Sequence, residues 1–405
     1  EYTYISGYQY PSEYTYLFPR IYSRRAEHIE GYKMWGNIQG RPTMMYGERV
    51  LVPTAGDNLT YFFNYQLNFM YWRYFLWNFV GRQNDLQGNG DLLKGNWLSG
   101  INFIDNLYLG PQDGIPSEMA QNKGRNKYYF LHFILGLIGL IYQLGRDKKN
   151  FTVVMWLFFM MGIALVLYFN TTPGEPRERD YVYAGSFYAF CIWIGLGVMS
   201  IREFLVKVTK KNTVAMAMGV TVVCACVPVI LAAQNWDDHS RAHRYIAHDI
   251  GFNYLESTLP NSIRMNYGDN DTFPLWYNQE VEGVRLDVRI MNMSYLGADW
   301  YIEQMKIRSN DSDPVPFSLP FSKYKNHTNN VMYVVDVIDS GEHAFQLSDL
   351  MAFIKSEDPA TKITPYDEAE DYIPIKTVYL PVNKENAIAS GIVKAEDSHL
   401  MVDTI

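Results

Sequence analysis

Four long uncharged stretches stand between Lys127 and Asp237, separated by short charged loops. They cover residues 128–145, 150–174, 181–201 and 212–236. An α-helix rises about 1.5 Å per residue, so roughly 20 apolar residues cross a hydrocarbon core about 30 Å thick. Backbone amides in lipid must be hydrogen-bonded within their own segment, which favours helices. The pattern therefore predicts a membrane protein with four helical spans.

The charges of the loops predict how the spans are oriented. Loop 146–149 carries three basic residues and loop 202–211 carries four, whereas loop 171–180 has two arginines against three acids. Basic loops stay on the cytoplasmic side. We therefore expect loop 171–180, called the charged hairpin below, on the outer face together with both flanks of the bundle. Three basic residues within 123–127 argue the other way, because they precede the first span on its predicted outer side.

The sequence before the first span contains an unusual aromatic segment. Half of residues 61–82 are Phe, Tyr or Trp, but the segment also holds Arg73 and four amide side chains. One arginine at mid-bilayer costs about 2.5–3.5 kcal/mol on insertion scales. We therefore predict an aromatic helix that lies at the headgroup level or packs against the bundle, rather than a lipid-facing span.

The sequence after the last span has the pattern of an α/β domain. Helical spacing covers 237–259, and a strand–helix–strand unit follows at 262–267, 272–281 and 288–293, with Asp271 or Thr272 as N-cap and Pro274 in the first turn. Further strands are expected at 331–338 and 375–380, and loops at 310–330 and 357–371. The predicted fold is a membrane α-helical bundle plus an outer-face α/β domain, divided as 1–125 (irregular, with aromatic helix 61–82), 126–236 (bundle) and 237–405 (periplasmic domain).

Composition argues against nucleic-acid binding, a disulfide framework and a zinc site. The net charge of -8 offers no nucleic-acid footprint. The three cysteines, Cys191, Cys224 and Cys226, lie in apolar spans, where a disulfide framework or zinc site is not expected. The chain begins with Glu1 rather than methionine, so we expect a piece of a longer polypeptide.

The charged hairpin is the first candidate site. Glu175, Arg177, Arg179 and Asp180 crowd between two spans that carry no charge. Ionisable groups beside a bundle often mark a substrate site. The arginines could grip a lipid phosphate through fork-like hydrogen bonds, with the acids fixing their rotamers. The alternative is a solvated loop whose charges satisfy one another.

The aromatic segment supplies the second candidate site. Its residues are Arg73, Trp77, Arg82, Asn84 and Asp85. Aromatic faces stack on the C–H faces of sugar rings, while amides and guanidinium groups bind hydroxyls, so this set suits a sugar or an acceptor. The alternative is an interfacial belt of Trp and Tyr.

A third candidate follows the first strand of the α/β domain. Asp269, Asn270 and Asp271 could bind a ligand at the carboxyl end of that strand. As a calcium loop the segment fails, because Phe273 occupies the next ligand position. A helix-capping turn is the simpler reading.

Metal ligands are not predicted. His239, His243 and His248 have part of a ligand spacing, but no cysteine or carboxylate completes a motif. We expect no cofactor, although a divalent metal is left open.

Five long segments resemble a family of Bacteroidota inner-membrane proteins related to transmembrane protein O-mannosyltransferases of the GT-C superfamily. They are MYWRYFLWNFVGRQND (70–85), GNWLSGI (95–101), NKYYF (126–130), EPRERDYVYAGSF (175–187) and GDNDTFPLWYNQEVEGVRLDVRIMN (268–292). The resemblance implies a multi-pass enzyme of the bacterial inner membrane. It would move a mannose-like sugar from a polyprenyl phosphate to Ser or Thr of an exported protein.

The resemblance also implies where catalysis occurs. In GT-C enzymes the catalytic acid lies in the first outward loop, and nothing in this chain matches that loop, so no catalytic residue is assigned. The charged hairpin would lie near the donor phosphate. The rival hypothesis is non-enzymatic: a membrane-anchored scaffold whose periplasmic domain binds a partner in envelope assembly or secretion. A transporter is disfavoured because no span has a charge near its middle.

The predicted topology can be tested by thiol labelling. A cysteine introduced at Gly174, in the charged hairpin, should react with a membrane-impermeant maleimide in intact cells. A cysteine at Lys148 should react only after the membrane is permeabilised, because its loop is predicted to be cytoplasmic. Labelling of the hairpin only after permeabilisation would overturn the orientation.

Overall fold

The apolar stretches of the chain form helices, and three of them are long enough to cross a membrane. The computed structural model describes residues 15–38, 40–45, 48–175, 177–326, 328–329, 331–337, 343–364 and 369–405. By length and composition the candidate spans are Lys148–Phe169, Asp180–Thr209 and Val214–Asn235. The chain divides into two compact units, Glu1–Arg241 and Ala242–Ile405.

The first of the four predicted spans is not confirmed. Stretch 128–145 forms the helix Leu131–Arg146, whose 16 residues reach only about 24 Å at 1.5 Å per residue. The helix begins late because Tyr129 and Phe130 have positive φ angles of 53° and 59°, a left-handed conformation that ends α-helical geometry. Four spans were expected, and three helices have the length and composition of a span.

The candidate span Lys148–Phe169 is interrupted in its middle. It consists of Lys148–Met160 and Ile163–Phe169. A Cβ atom at the intervening Gly162 would lie 2.6 Å from the hydroxyl of Tyr71 and 2.7 Å from that of Ser186. These two hydroxyls are hydrogen-bonded at 2.6 Å. The glycine therefore lets a buried polar contact form beside the break.

The aromatic segment is helical and packs against the bundle. It runs as Ala55–Tyr61, a π-helical stretch Phe62–Arg73, and Tyr74–Phe79. Thr54 caps its first turn through a reciprocal capping box with Asp57. Its last two buried rings, Phe75 and Phe79, pack with Phe190 and Trp193 of the candidate span Asp180–Thr209 in one core cluster. The sequence predicted a helix that either lies at the headgroup level or packs against the bundle, and the structure shows the helix packed against the bundle.

Two helices of the bundle approach each other closely through small residues. A Cβ at Gly139 of Leu131–Arg146 would lie 1.7 Å from the carbonyl oxygen of Trp193. The indole of Trp193, which is fully buried, donates to Gln143 Oε1 at 2.7 Å. Small residues at such a crossing allow backbone contact, and the buried hydrogen bond fixes the register.

The second unit contains the predicted strand–helix–strand. Strands Ile263–Asn266 and Arg289–Asn292 pair in parallel, with Asn266 opposite Asn292, and helix Asp269–Glu280 connects them. The core of this strand–helix–strand unit consists of Leu255, Leu275, Val288 and Ile290. The helix starts at Asp269 with Gly268 as N-cap, so the prediction of Asp271 or Thr272 as cap was wrong, and Pro274 lies beyond the first turn.

The region 357–371, expected to be a loop, contains two short strands. Lys362–Ile363 pairs antiparallel with Glu370–Ile373, which pairs in parallel with Tyr333–Val334. Asp371 is buried and receives hydrogen bonds from Lys323 at 3.2 Å and from Lys362. Burial by itself raises the pKa of Asp371, but the hydrogen bonds from Lys362, Asn329 and Lys323 outweigh it and lower the pKa. The ion pair between Lys362 and Asp371 joins the two antiparallel strands.

The remaining elements are short, except for the helix of the candidate span Asp180–Thr209, which runs from Ala184 to Thr209. The other α-helices are Ala26–Gly36, Asn102–Leu109, Ser117–Ala120, Ala184–Thr209, Ile246–Glu256, Asp299–Met305, Leu347–Lys355 and Lys384–Ala389. Single 3₁₀ turns are Asp180–Tyr183, Met293–Gly297, Phe321–Lys323, Pro359–Thr361 and Ala395–Leu400. The other strands are the hairpin Arg41–Met45 with Glu48–Val52, and the parallel pair Phe345–Gln346 with Val378–Tyr379. Expected strand 331–338 is reduced to Tyr333–Val334, with residue 338 outside the described ranges, and 375–380 to Val378–Tyr379.

Substitution of Gly139 tests the close helix crossing. Gly139→Ala should destabilise the bundle by about 1–3 kcal/mol, the usual range for overpacking a tight site, and lower the thermal unfolding temperature in detergent. Gly145→Ala, at a position with open space around its Cβ, is the matched control and should be neutral or stabilising. Equal unfolding temperatures for both variants would contradict the crossing.

Candidate functional site

The charged hairpin is held in place by polar side chains of the aromatic helix. Tyr61 donates its hydroxyl to the carbonyl of Thr171 at 2.8 Å, and Tyr65 donates to the carbonyl of Thr172 at 3.3 Å. Gln66 also donates to Thr171 O at 2.9 Å. These three side chains satisfy backbone carbonyls of the hairpin, and Gln66 is one of the amides that made the segment unsuitable as a lipid-facing span.

An ion pair connects the same two elements further along. The guanidinium of Arg73 lies 2.5 Å from Glu178 Oε2, and the two side chains are 9% and 17% exposed. Arg73 also donates to the carbonyls of Phe69, at 2.9 Å, and of Gly95. All three guanidinium nitrogens are therefore used within the protein. The other oxygen of Glu178, Oε1, is shielded from solvent and accepts no hydrogen bond from a described residue.

A cavity of about 210 Å³ lies where the hairpin meets the aromatic helix and the loop that follows it. We call it the hairpin cavity. Four groups of residues line it: two arginines, two aromatic rings, three carboxylates, and four further residues of the loop after the aromatic helix. The lining residues are Arg73, Arg177; Tyr74, Trp77; Asp85, Glu178, Asp180; and Asn84, Leu86, Gln87, Gly95. The first two candidate sites of the sequence thus contribute to one cavity.

Arg177 differs from the other arginines of the site. It is exposed and lines the hairpin cavity. Its guanidinium has no hydrogen bond or ion pair among the residues that the structure describes, whereas Arg73 is fully engaged. Arg177 therefore retains its donors for an anionic ligand.

The other two residues of the predicted phosphate-binding set line a different cavity. Glu175 and Arg179 form an ion pair at 3.6 Å and line a smaller cavity of about 90 Å³ with Tyr22 and Met70. Glu175 also accepts from Thr172 Oγ1 at 3.3 Å. The predicted phosphate set is consequently divided, with Arg177 and Asp180 on the hairpin cavity.

Two predicted residues of the aromatic segment have structural contacts. Asn84 donates to Leu93 O at 2.8 Å and accepts from the amide of Gly95 at 2.7 Å, so its side chain holds the adjoining loop. Arg82 stacks on Trp77, with 3.9 Å from Cζ to the ring centre, and pairs with Asp238 at 3.4 Å. Asp85 is exposed on the cavity wall.

The third candidate set belongs to the second unit. Asp269, Asn270 and Asp271 form the first turn of helix Asp269–Glu280 and are exposed. Asp269 accepts the hydroxyl of Tyr295 at 2.8 Å, and this hydrogen bond raises the pKa of Tyr295. Asn266 donates to Asp271 O at 3.0 Å.

Two of the predicted histidines, His239 and His248, contact carboxylates within their own units. His239 contacts Asp238 at 2.7 Å, while His248 contacts Asp249 at 2.8 Å and Glu282 at 2.9 Å. The two carboxylates raise the pKa of His248. Within the described ranges no group of three or more His, Cys, Asp or Glu is placed to hold a metal ion.

Sequence reasoning missed Glu178, Tyr74 and the Asp238–His239 pair. Glu178 stands between the two arginines of the hairpin, and this position was the available signal. Tyr74 was hidden among many aromatic residues. Nothing in the local sequence indicates that Asp238 pairs with Arg82, 156 residues away.

Comparison with known proteins gives two partial family matches. Residues 247–405 match the family model described as TMEM260-associated domain 2. Residues 1–63 match a family of unknown function (DUF8416). No curated protein and no solved structure matches the chain. The second unit is therefore similar to a domain associated with TMEM260.

A double-mutant cycle tests the ion pair that shapes the cavity. Arg73→Met alone should destabilise the protein by about 3–5 kcal/mol, because it leaves the carboxylate of Glu178 buried without its partner. Arg73→Met with Glu178→Gln should recover much of this loss, giving a large coupling in denaturant or thermal unfolding.

The matched control is the more exposed pair Arg179–Glu175, whose arginine is 61% exposed. Surface pairs contribute about 0–1 kcal/mol, so the same cycle should show little coupling there. Equal coupling in the two cycles would show that the Arg73–Glu178 pair has no special structural role.

Proposed function

We propose that this chain is part of a membrane glycosyltransferase, of the protein O-mannosyltransferase type, that moves a sugar from a polyprenyl-phosphate donor to Ser or Thr of exported proteins. The membrane character of the chain and the similarity of residues 247–405 to TMEM260-associated domain 2 support this class. TMEM260 is itself connected with protein O-mannosyl transfer. The proposed location is the bacterial inner membrane, with the hairpin and the second unit on the periplasmic side.

The observation that carries the proposal is the lining of the hairpin cavity. Arg177 supplies a guanidinium that has no hydrogen-bond partner among the described residues and can bind a phosphate. Trp77 and Tyr74 supply aromatic faces for a sugar ring. The carboxylates of Asp85, Glu178 and Asp180 accept hydrogen bonds from hydroxyls. The volume of about 210 Å³ is below the roughly 300–1,000 Å³ of sites that enclose drug-sized ligands, which suits a group the size of one sugar.

The structure suggests distinct roles for the predicted residues. Arg73 positions Glu178, and Asn84 holds the loop beside the cavity. Arg177 and Asp180 would contact the donor directly. Arg179 and Glu175, which face the adjoining cavity, would support the hairpin or contact the polyprenyl phosphate further from the sugar. On the second unit, Asp269, Asn270 and Asp271 would contact the acceptor protein.

The transfer step follows from this arrangement. The acceptor hydroxyl loses its proton to a base as its oxygen forms a bond to the anomeric carbon. The bond from that carbon to the phosphate oxygen breaks, and the electron pair remains on the leaving polyprenyl phosphate. Arg177 stabilises the charge that develops on this phosphate.

The role of Arg177 can be tested in the full-length protein with labelled polyprenyl-phosphate mannose and periplasmic acceptor proteins. Arg177→Ala should lower transfer about 100-fold, the order of the loss when one charge-stabilising group is removed. Arg179→Ala should have a smaller effect, because its side chain is tied to Glu175. Both variants should still insert and fold, since neither guanidinium is buried.

Arg202→Ala is the matched control, in the loop predicted to be cytoplasmic, and should transfer at the wild-type rate. Equal rates for Arg177→Ala and the wild type would remove the hairpin from the mechanism. Absence of transfer by the wild-type protein would favour the alternative function, a membrane-anchored scaffold with a periplasmic partner-binding domain.

A further inference from the structure

A short helix in the loop after the aromatic segment exposes two large apolar side chains. Helix Asn102–Leu109, called the loop helix below, buries Asp105 but leaves Phe103 and Leu107 each 77% exposed. Residues four positions apart lie on the same face of a helix, so these two side chains form one apolar ridge. Ile101, just before the helix, is 39% exposed. A ridge of this kind marks a surface that binds another apolar body.

The opposite face of the loop helix is fixed to the protein. Asp105, the one acid of the helix, accepts from the amides of Ser99 and Gly100, each at 2.8 Å, and from the hydroxyl of Ser99 at 2.8 Å. The ring of Tyr108 stacks on Trp97 with 4.6 Å between centroids. The carboxylate is therefore used within the loop, and the apolar ridge has a defined direction.

The loop helix begins at the level where a candidate span ends. A Cβ at Gly100 would lie only 2.8 Å from the Cβ of Lys127. Lys127 is in turn joined to Gln234, in the last turn of the candidate span Val214–Asn235. The amide of Lys127 donates to the side chain of Gln234 at 2.6 Å, and its carbonyl accepts from that side chain at 2.8 Å. The end of a span lies at the membrane surface, so the start of the loop helix lies there too.

The apolar surface continues from the loop helix onto a helix of the bundle. The amide of Tyr129 donates to the carbonyl of Ser99 at 3.1 Å, and a Cβ at Gly100 would lie 2.9 Å from the Tyr129 ring. Tyr129 is 47% exposed, and Leu131 and Ile134 follow with 37% and 50%. The 16-residue helix that they open reaches only about 24 Å, less than the hydrocarbon thickness of about 30 Å. The loop helix lies beside the end of this short helix.

Two lysines near the ridge supply charges that suit lipid headgroups. The side chains of Lys123, which is exposed, and Lys127, which is half-buried, have no ion pair among the described residues. A lysine stem can lie along apolar surface while its ammonium binds headgroup phosphates. The exposed acids of this loop, Asp113 and Glu118, lie outside the loop helix. Headgroup binding also gives a reason for these basic residues on the predicted outer side of the membrane.

We propose that the loop helix lies in the interface of the lipid bilayer, with Phe103 and Leu107 among the acyl chains and Lys123 and Lys127 at the headgroup phosphates. Interfacial helices of this kind bury their apolar face about 5–10 Å into the boundary between headgroups and acyl chains. The loop that carries this helix also supplies part of the wall of the hairpin cavity, so the contact holds that wall beside the lipid. The proposal does not depend on the proposed sugar transfer.

The test measures the depth of single spin labels in the full-length protein in lipid nanodiscs. Phe103→Cys and Leu107→Cys, in a background whose native cysteines are replaced by alanine, each carry one nitroxide. Electron paramagnetic resonance then compares collisions with oxygen, which concentrates in lipid, and with a nickel chelate, which stays in water. Both labels should collide mainly with oxygen, at a depth of about 5–10 Å.

Two control positions calibrate the measurement. Asn102→Cys lies on the same helix, is exposed, and is turned by about 100° from Phe103, so its label should collide mainly with the nickel chelate. Val222→Cys, 68% exposed within the span Val214–Asn235, should give a greater depth than either ridge position. Because all four side chains are exposed, the labelled proteins should unfold at the temperature of the unlabelled background.

Each outcome decides the question. Ridge labels that collide mainly with the nickel chelate lie in water and overturn the proposal. Ridge labels that neither reagent reaches are covered by protein, such as another segment of the full-length chain or a second copy, and this also overturns it. Neither result bears on sugar transfer, and absence of transfer by the wild type leaves the depth of the loop helix unaffected.

Discussion

The ion pair between Arg73 and Glu178 determines how the charged hairpin is placed in the first unit. It fixes the charged hairpin to the aromatic helix through two side chains that are both largely buried. Either charge alone would be costly at this place, because desolvation of an unpaired ion outweighs the other contacts that it makes. Pairing requires the hairpin to fold over this helix, and the hairpin cavity forms where they meet.

The same constraint accounts for the other polar groups of the aromatic helix. Tyr61, Tyr65 and Gln66 donate to the backbone of the hairpin. Near apolar spans, a carbonyl without a donor carries a large penalty. Two of the residues that make segment 61–82 too polar for a lipid-facing span, Gln66 and Arg73, bind the hairpin.

At the hairpin cavity, side chains that already form hydrogen bonds within the protein differ from those that can still bind a ligand. The nitrogens of Arg73 and the amide of Asn84 are used within the protein. By contrast, Arg177 and the Oε1 of Glu178 are without partners among the described residues. A ligand is recognised by groups with unused donors or acceptors. Residue type alone would have ranked Arg73 and Arg177 equally.

Several elements of the fold could be predicted from local pattern. Three of the four predicted spans correspond to candidate membrane helices, and both strands of the strand–helix–strand unit were predicted within about one residue. Hydrophobic periodicity and length are properties of contiguous sequence, so these elements can be identified without the rest of the molecule. The short helix Leu131–Arg146 was not foreseen, since the positive φ of Tyr129 and Phe130 leaves no mark in hydropathy.

The composition of the site depended on contacts between distant residues. The sequence by itself determined that an apolar bundle carries a charged hairpin and an aromatic segment with an arginine in it. Only the tertiary structure decided that Arg177 shares a cavity with Trp77, that Glu175 and Arg179 face another, and that Asp238 pairs with Arg82. The physical reason is that the surroundings of these side chains are set by residues about 100 or more positions away in the sequence. The hydrophobic patterns that predict helices and strands depend only on neighbouring residues.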